Sequence, residues 1–253
     1  MESDAVVARD LAIEVGIALV AARDELFATY DSEGIKDAGD ALAQALIVER
    51  LAEHRPADAV LSEEADDDAV RLTAERVWIV DPLDGTREYA RAGRVDWAVH
   101  VALWSSKAQS ITAAALDLPA QGITLDTVGS PLPLPAPSPR EGRVRIVVSQ
   151  SRTPMVLEAI AAVMPVEILL WGSAGAKAAR VITGDVDAYV HDTTLNEWDS
   201  AAPVGVALAH GLHVSHLDGS PLVFNKVRPI SGDLLMCRPE LAEQLLAALN
   251  ASS

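Results

Sequence analysis

Residues 77–86, V-W-I-V-D-P-L-D-G-T, constrain this chain more than any other stretch. Residues 77–80 form an apolar run rich in β-branched side chains, with the length and composition of a strand covered on both faces. Asp81 and Asp84 follow at once. Carboxylates at the end of a buried strand are costly unless a cation or a set of donors compensates them. Pro82 restricts Asp81 to extended backbone, Gly85 allows a sharp turn, and Thr86 is a good N-cap. The segment therefore predicts a strand, a turn and a helix. Both carboxylates can be aimed at one cation while free helix N–H groups face a phosphate. A magnesium site for phosphate chemistry is the expectation.

The remaining residues must supply a large core with few rings. The chain has 253 residues, of which 50% are hydrophobic and only 4% aromatic, so the core relies on Ala, Val, Leu and Ile. That length suits one or two domains. Lysine and arginine total 20 against 37 acidic residues, a net charge of −17. Such a surface excludes nucleic-acid polymers and anionic membranes as partners, since both need a basic face. An anionic small molecule would need bound divalent cations to offset the protein's own charge. Cys237 stands alone, which rules out an internal disulfide and a cysteine-rich zinc site and suits a reducing cytoplasm. Met1-Glu2-Ser3-Asp4 is acidic where a secretion signal is basic. No run of 18 uninterrupted apolar residues predicts a membrane span. The expected location is cytoplasmic.

Val7, Leu11, Val15, Ala18, Leu19, Ala22 and Leu26 recur at helical spacing. A second helix is predicted from about residue 38 to 54, with Leu42, Leu46 and Leu51 inward. Ala59-Val60-Leu61 then delivers Ser62-Glu63-Glu64. Residues 97–104 predict a strand, with 111–118 as its antiparallel neighbour. Residues 129–142 hold five prolines and mark a linker or exposed loop. The expected division is an N-terminal α+β domain, 1–140, and a C-terminal α/β domain, 141–253. In the second, strands are predicted at 144–148, 167–171, 188–190 and 213–215, and helices at 154–164, 176–183, 199–210 and 239–248.

Glu63, Asp81, Asp84 and the distant Asp199 are acids placed where hydrophobicity predicts burial or element ends, and hard divalent cations favour such oxygen ligands. Four segments carry a resemblance: Ser62-Glu63-Glu64, residues 78–86, residues 172–177 (G-S-A-G-A-K) and residues 197–203 (E-W-D-S-A-A-P). On them the chain resembles the inositol monophosphatase superfamily of magnesium-dependent, lithium-sensitive phosphatases, over nearly its whole length. Gly172-Ser173 followed closely by Lys177, Glu197 before Trp198-Asp199, and residues 218–225 (D-G-S-P-L-V-F-N) resemble the CysQ branch, particularly its actinobacterial members. That branch removes the 3′-phosphate from 3′-phosphoadenosine 5′-phosphate.

The resemblance implies a layered α-β-α-β-α fold, α+β and α/β in its two halves, and two to three Mg²⁺ ions. Glu63, Asp81 and the Leu83 carbonyl would hold the first ion. Asp81, Asp84 and Asp199 would hold the second, and Glu63 with water a third. Asp40 and Thr86 would orient and deprotonate the attacking water beside Glu63. The amides of Gly85 and Thr86 would meet the phosphate, with Ser173, Lys177 and Arg152 as further substrate contacts. Several of these have plainer readings: Asp199 as a helix N-terminal acid, Lys177 as a solvated helix lysine, Asp40 as an exposed acid. Asp66-Asp67-Asp68 reads as an exposed loop and His100 as a satisfied histidine. Ala209-His210-Gly211 departs from the family's usual Ala-Gly-Gly.

No cysteine or histidine stands in a nucleophile motif, so direct in-line attack by water is expected. The expected partner is a small phosphate ester, an adenosine bisphosphate, in sulfate assimilation. The alternatives are inositol monophosphatase or fructose-1,6-bisphosphatase activity, and a catalytically silent nucleotide-binding homologue. The family includes both monomers and homodimers. Replacing Asp81 or Asp84 with Asn is expected to abolish activity and to spare the fold by relieving charge repulsion.

Overall fold

The computed structural model describes residues 2–129, 134 and 142–250. The expected boundary at 140/141 and most of the proline-rich stretch lie outside the described residues.

Two long helices come first, α1 (Asp4–Thr29) and α2 (Ser32–His54). Ser3 and Asp31 cap them, each side chain accepting an N–H from the first turn. The second helix thus begins six residues earlier than the apolar periodicity predicts (32 against about 38), because Asp31 starts it ahead of the first inward leucine. Asp40 therefore lies inside a helix. The first sheet runs in the order β1 (Ala59–Ser62), β2 (Arg76–Asp84), β3 (Ala98–Ser105), β4 (Ser110–Leu118), β5 (Ile123–Asp126). Only β1 and β2 are parallel within it. The short helix α3 (Thr86–Tyr89) follows β2 directly.

The second sheet takes β6 (Val144–Ser149), β7 (Val166–Trp171), β8 (Ala188–Asn196), β9 (His213–Ser215) and β10 (Ile230–Cys237), in the order β7-β6-β8-β10-β9. Its helices are α4 (Leu157–Val163), α5 (Ala174–Ile182), α6 (Glu197–Ala209) and α7 (Ala242–Asn250). Two strands were not legible in the sequence pattern. β5 has four residues, and β10 is interrupted by a register shift at Gly232, whose φ is +94°.

Strand periodicity sorts the side chains into three cores. Trp78, Val80, Val99 and Val101 face α1 and α2. Val77, Ile79, Ala102 and Ala114 face the other way, onto the alanine-rich α5 and α6. Those two helices also cover Val147, Tyr189, Leu234 and Met236 from the second sheet. Ile146, Val148, Ala188, Val190, Leu235 and Cys237 point outward to α4 and α7. The result is the expected α-β-α-β-α layering, with α5 and α6 as the middle layer shared by both sheets. Small residues suit this position. A Cβ on Gly205 of α6 would lie 2.6 Å from the Ile111 side chain and 2.9 Å from that of Ala114.

Candidate metal centre and active-site cleft

β2 carries its pairing past the apolar run to Asp84, with a register shift between Asp81 and Asp84. Asp81 keeps the parity of Val77 and Ile79, which face α5 and α6, and the irregularity brings Asp84 to the same side, at the start of α5. Asp81, Asp84 and Asp199 each offer an oxygen, and these atoms lie within 4.8 Å of one another. Asp81 and Asp84 are buried, 1% and 7% exposed.

The three carboxylates differ in what holds them. Asp81 Oδ1 accepts the N–H of Leu83 at 3.1 Å, while Oδ2 is buried with no hydrogen-bond partner. Burial, then the charges of Glu63, Asp84 and Asp199, push its pKa well above the usual carboxylate range. Asp84 is the opposite case. Its Oδ2 accepts the Ser173 hydroxyl and the Gly175 N–H, and its Oδ1 the Ala174 N–H. His100 Nε2 lies 3.1 Å from Oδ2, close enough for an ion pair but outside hydrogen-bond alignment. Burial alone would raise the Asp84 pKa, but His100, Ser173 and Lys177 outweigh it and hold the carboxyl well below its ordinary value. Asp199 is the third residue of α6 and closes a capping box: its Oδ2 accepts the Asn196 N–H at 2.7 Å. Its plain role as a helix N-terminal acid and its place in the cluster thus coexist. Burial and Asp84 raise its pKa to about 6.

Glu63 stands at the rim, exposed by surface area and outside the 4.8 Å group. Its carboxyl still feels the cluster. Desolvation, followed by Asp199, Asp84 and Glu64, raises its pKa to about 7. Asp40 is half-buried and raised to about 7 by burial and by Glu64, Glu63 and Asp37. It reaches this position because Gly39 lets α2 close on the turn: a Cβ there would meet Tyr89 at 2.8 Å and Leu83 at 2.9 Å. One turn further on, Gln44 accepts the Ser62 hydroxyl at 2.7 Å and pins α2 to the end of β1.

Gly85, at φ +89°, starts α3, and a Cβ on it would press on Ser173 Cβ at 3.0 Å. Thr86 is the first residue of α3. Ser173 caps α5 from a positive φ of 45°, uncommon for a residue with a side chain. Lys177 is 4% exposed, not solvated, and its Nζ donates to the carbonyls of Gly172 and Ser173. Burial lowers its pKa to about 8 despite the nearby carboxylates. Arg152 is exposed and does not line the cleft, although its charge reaches His191.

The cleft has a volume of about 520 Å³ and is lined by Asp84, Gly85, Ser173, Lys177 and Asp199 among others. It also exposes groups the sequence reading passed over: Arg87, Arg91, Gln150 and His191. His100, read as a satisfied histidine, touches Asp84. Its mid-strand position gave no signal, since the contact depends on Gly175 coming within 2.2 Å (as a built Cβ) of Nε2. Asp67 of the acidic run pairs with the buried Arg71, which also donates to Asn225 and Lys226. Glu197 is fully buried and accepts the N–H groups of Asn225 at 2.7 Å and Lys226 at 2.9 Å. Glu197 and the end of segment 218–225, both tied to the CysQ branch by resemblance, therefore meet here.

The donor set fits a hard divalent cation. All three clustered groups are carboxylates, one has an orphaned buried oxygen, and burial, then the repulsion of neighbouring carboxylates, raises two of the three pKa values. A five-layered fold carrying such a centre falls in the class of layered, metal-dependent phosphatases. The profile of the inositol monophosphatase family matches residues 1–253, and the chain belongs to that family. It is 47% identical over 263 aligned residues to 3′-phosphoadenosine 5′-phosphate phosphatase of Mycobacterium leprae, covering 98% of this chain and 93% of that protein. Identity to the Mycobacterium bovis protein of the same name is 52% over 216 residues, covering 84% and 81%. Among solved structures, CysQ of Bacteroides thetaiotaomicron superposes with a TM-score of 0.77 at 25% identity, covering 94% of this chain and 98% of that one. Among the described residues no helix is long and apolar enough to cross a membrane.

Proposed function

We propose that this protein is a magnesium-dependent phosphatase that removes the 3′-phosphate of 3′-phosphoadenosine 5′-phosphate by direct attack of water. The observation that carries the reading is the trio Asp81, Asp84 and Asp199, within 4.8 Å, opening on a cleft edged by Ser173 and Lys177. It lies in a chain about half identical to phosphatases of that name.

Two to three Mg²⁺ ions are assigned to Asp81, Asp84, Asp199, Glu63 and the Leu83 carbonyl, where they would neutralise the ester and acidify water. The chain's own residues do the rest. Asp40 is the proton acceptor with Thr86, since a carboxyl with a pKa of about 7 is suited to take a proton near neutrality. Glu63, assigned to the ions at the rim, would help to orient the same water. Lys177, buried and held by two carbonyls, supplies a fixed positive charge opposite the carboxylates. Gly85 and Thr86 present backbone N–H groups at the turn, and Ser173 completes the substrate contacts, while Arg152, outside the cleft, is left without that role.

The test is a steady-state comparison of 3′-phosphoadenosine 5′-phosphate, inositol 1-phosphate and fructose 1,6-bisphosphate, each with Mg²⁺ and with a chelator. The nucleotide should give the highest kcat/KM, and the chelator should abolish turnover. Least efficient turnover of the nucleotide would overturn the assignment.

A further inference from the structure

Arg87 and Arg91 stand four residues apart on α3 and the turn that continues it, and both line the cleft. Residues at this spacing share one helical face. Between them, Glu88 and Tyr89 are buried; Glu88 also lines the cleft, where its carboxylate accepts the Gln150 side-chain amide at 2.8 Å, while the two arginines are exposed. Among the described residues neither guanidinium has a hydrogen bond or an ion pair. Several other arginines of this acidic chain are already engaged by acids. Arg50, Arg55, Arg71, Arg76 and Arg94 are each paired with carboxylates.

The backbone that carries the two arginines is fixed. Arg23, from α1, donates to the carbonyls of Glu88, Tyr89, Arg91 and Arg94, and its guanidinium lies 5.3–5.6 Å from the rings of Tyr89, Phe27 and Trp97. The pair is thus presented on a turn ordered before any ligand arrives, which lowers the cost of binding.

The other cations lining the cleft are already committed. Lys177 is spent on two carbonyls, and burial beside Lys177 keeps His191 neutral, with its pKa lowered to about 4. A second phosphate elsewhere along the floor would face Asp84 and Asp199. We propose that Arg87 and Arg91 form a second phosphate subsite, which binds the non-reacting phosphate of a bisphosphate substrate and sets the preference for bisphosphates over monoesters. Forked guanidiniums suit a terminal phosphate dianion. The inference rests on the proposed function only in placing the reacting phosphate at the carboxylates.

The test pairs each substrate with its analogue lacking the second phosphate. Wild type, Arg87→Gln, Arg91→Gln and the double variant are assayed on 3′-phosphoadenosine 5′-phosphate against adenosine 3′-phosphate, with Mg²⁺ at fixed ionic strength. Fructose 1,6-bisphosphate against fructose 1-phosphate forms a second panel, and Lys107→Gln, an exposed residue outside the cleft, is the control. Each single variant should lose roughly 10–100-fold in kcat/KM on the nucleotide bisphosphate, mainly through KM. The ratio of bisphosphate to monoester should fall by the same factor, with partial rescue by Lys. An equal loss on both substrates, or no loss, overturns the subsite. If wild type prefers the fructose ester, the nucleotide assignment fails, while an arginine-dependent preference for two phosphates still supports the subsite. If nothing is hydrolysed, calorimetric affinity for the same nucleotide pair reads the subsite without turnover.

Discussion

The hydroxyl of Ser173 donates to Asp84 Oδ2 and joins the end of β2 to the first turn of α5. With the N–H groups of Ala174 and Gly175 directed at the same carboxylate, Asp84 caps a helix of the middle layer as well as belonging to the acidic cluster. Ser173 is held at a positive φ to make this bond, a local strain of about 1–3 kcal/mol that the surrounding contacts must offset.

Asp81 and Asp84 should therefore respond in opposite directions to amidation, contrary to the expectation that either change would spare the fold. In metal-free protein Asp81→Asn removes a buried, repelled charge and should stabilise by about 1–2 kcal/mol. Asp84→Asn turns an amide N–H₂ or its carbonyl toward several donors and loses charge-assisted bonds, and should destabilise by about 2–3 kcal/mol. Thermal unfolding in a chelator checks the signs, and a shared sign for both would refute the division of roles. Both variants should be inactive with Mg²⁺.

Gly175 lets His100 sit beside Asp84. A methyl there would lie 2.2 Å from His100 Nε2 and 2.6 Å from Leu116. Gly175→Ala should push the imidazole away from the carboxylate and weaken Mg²⁺ dependence at least about tenfold, since displaced supporting groups commonly cost that much in metal affinity. A titration of activity against Mg²⁺ measures it. An unchanged half-saturation value would mean that His100 does not position Asp84.

The strands and the buried acids were legible because each rests on a local pattern, apolar runs for the strands and acids at their ends for Asp81, Asp84 and Asp199, whereas the layering and the meeting of Asp199 with the other two came from the family resemblance. Other parts depend on distance in space. His100 is mid-strand and Gly175 is in a helix 75 residues on, so neither announces their contact. Glu197 looked like a motif letter, yet its carboxylate ties down the backbone at Asn225. Arg87 carried no signal either, since an arginine on a helix start is ordinary until the cleft beside it is known. Asp40 fell between the two kinds, acidic in sequence but placed by the close approach at Gly39.

Glu197→Gln should loosen the segment after residue 218 more than it disturbs the cluster. The buried carboxylate accepts two backbone N–H groups, while Arg71 binds Asn225 and the Lys226 carbonyl from the other side. Loss of one charge-assisted acceptor should cost about 2–3 kcal/mol. Hydrogen exchange at Asn225 and Lys226 should accelerate by roughly a hundredfold, more than at Asp199. Uniform acceleration across the chain would point to a global effect instead.

Asp117 gives a pH dependence distant from the metal centre. It is 5% exposed, and its Oδ1 accepts the Thr124 hydroxyl. A Cβ on Gly16 of α1 would come within 2.2 Å of its Oδ2. Burial raises its pKa to about 6, against about 3.9 in an unfolded chain. Between those values the folded state retains a proton that the unfolded state has released, so stability falls as pH rises through that window. Below about 4 the penalty is absent, and above about 6 it is complete, at most about 2–3 kcal/mol. Asp117→Asn keeps an acceptor for Thr124 without the charge. Its gain over wild type in urea unfolding should therefore grow from about pH 4 to about pH 6 and then level off. Parallel stability curves for the two proteins across that range would show that Asp117 is not ionised at this cost.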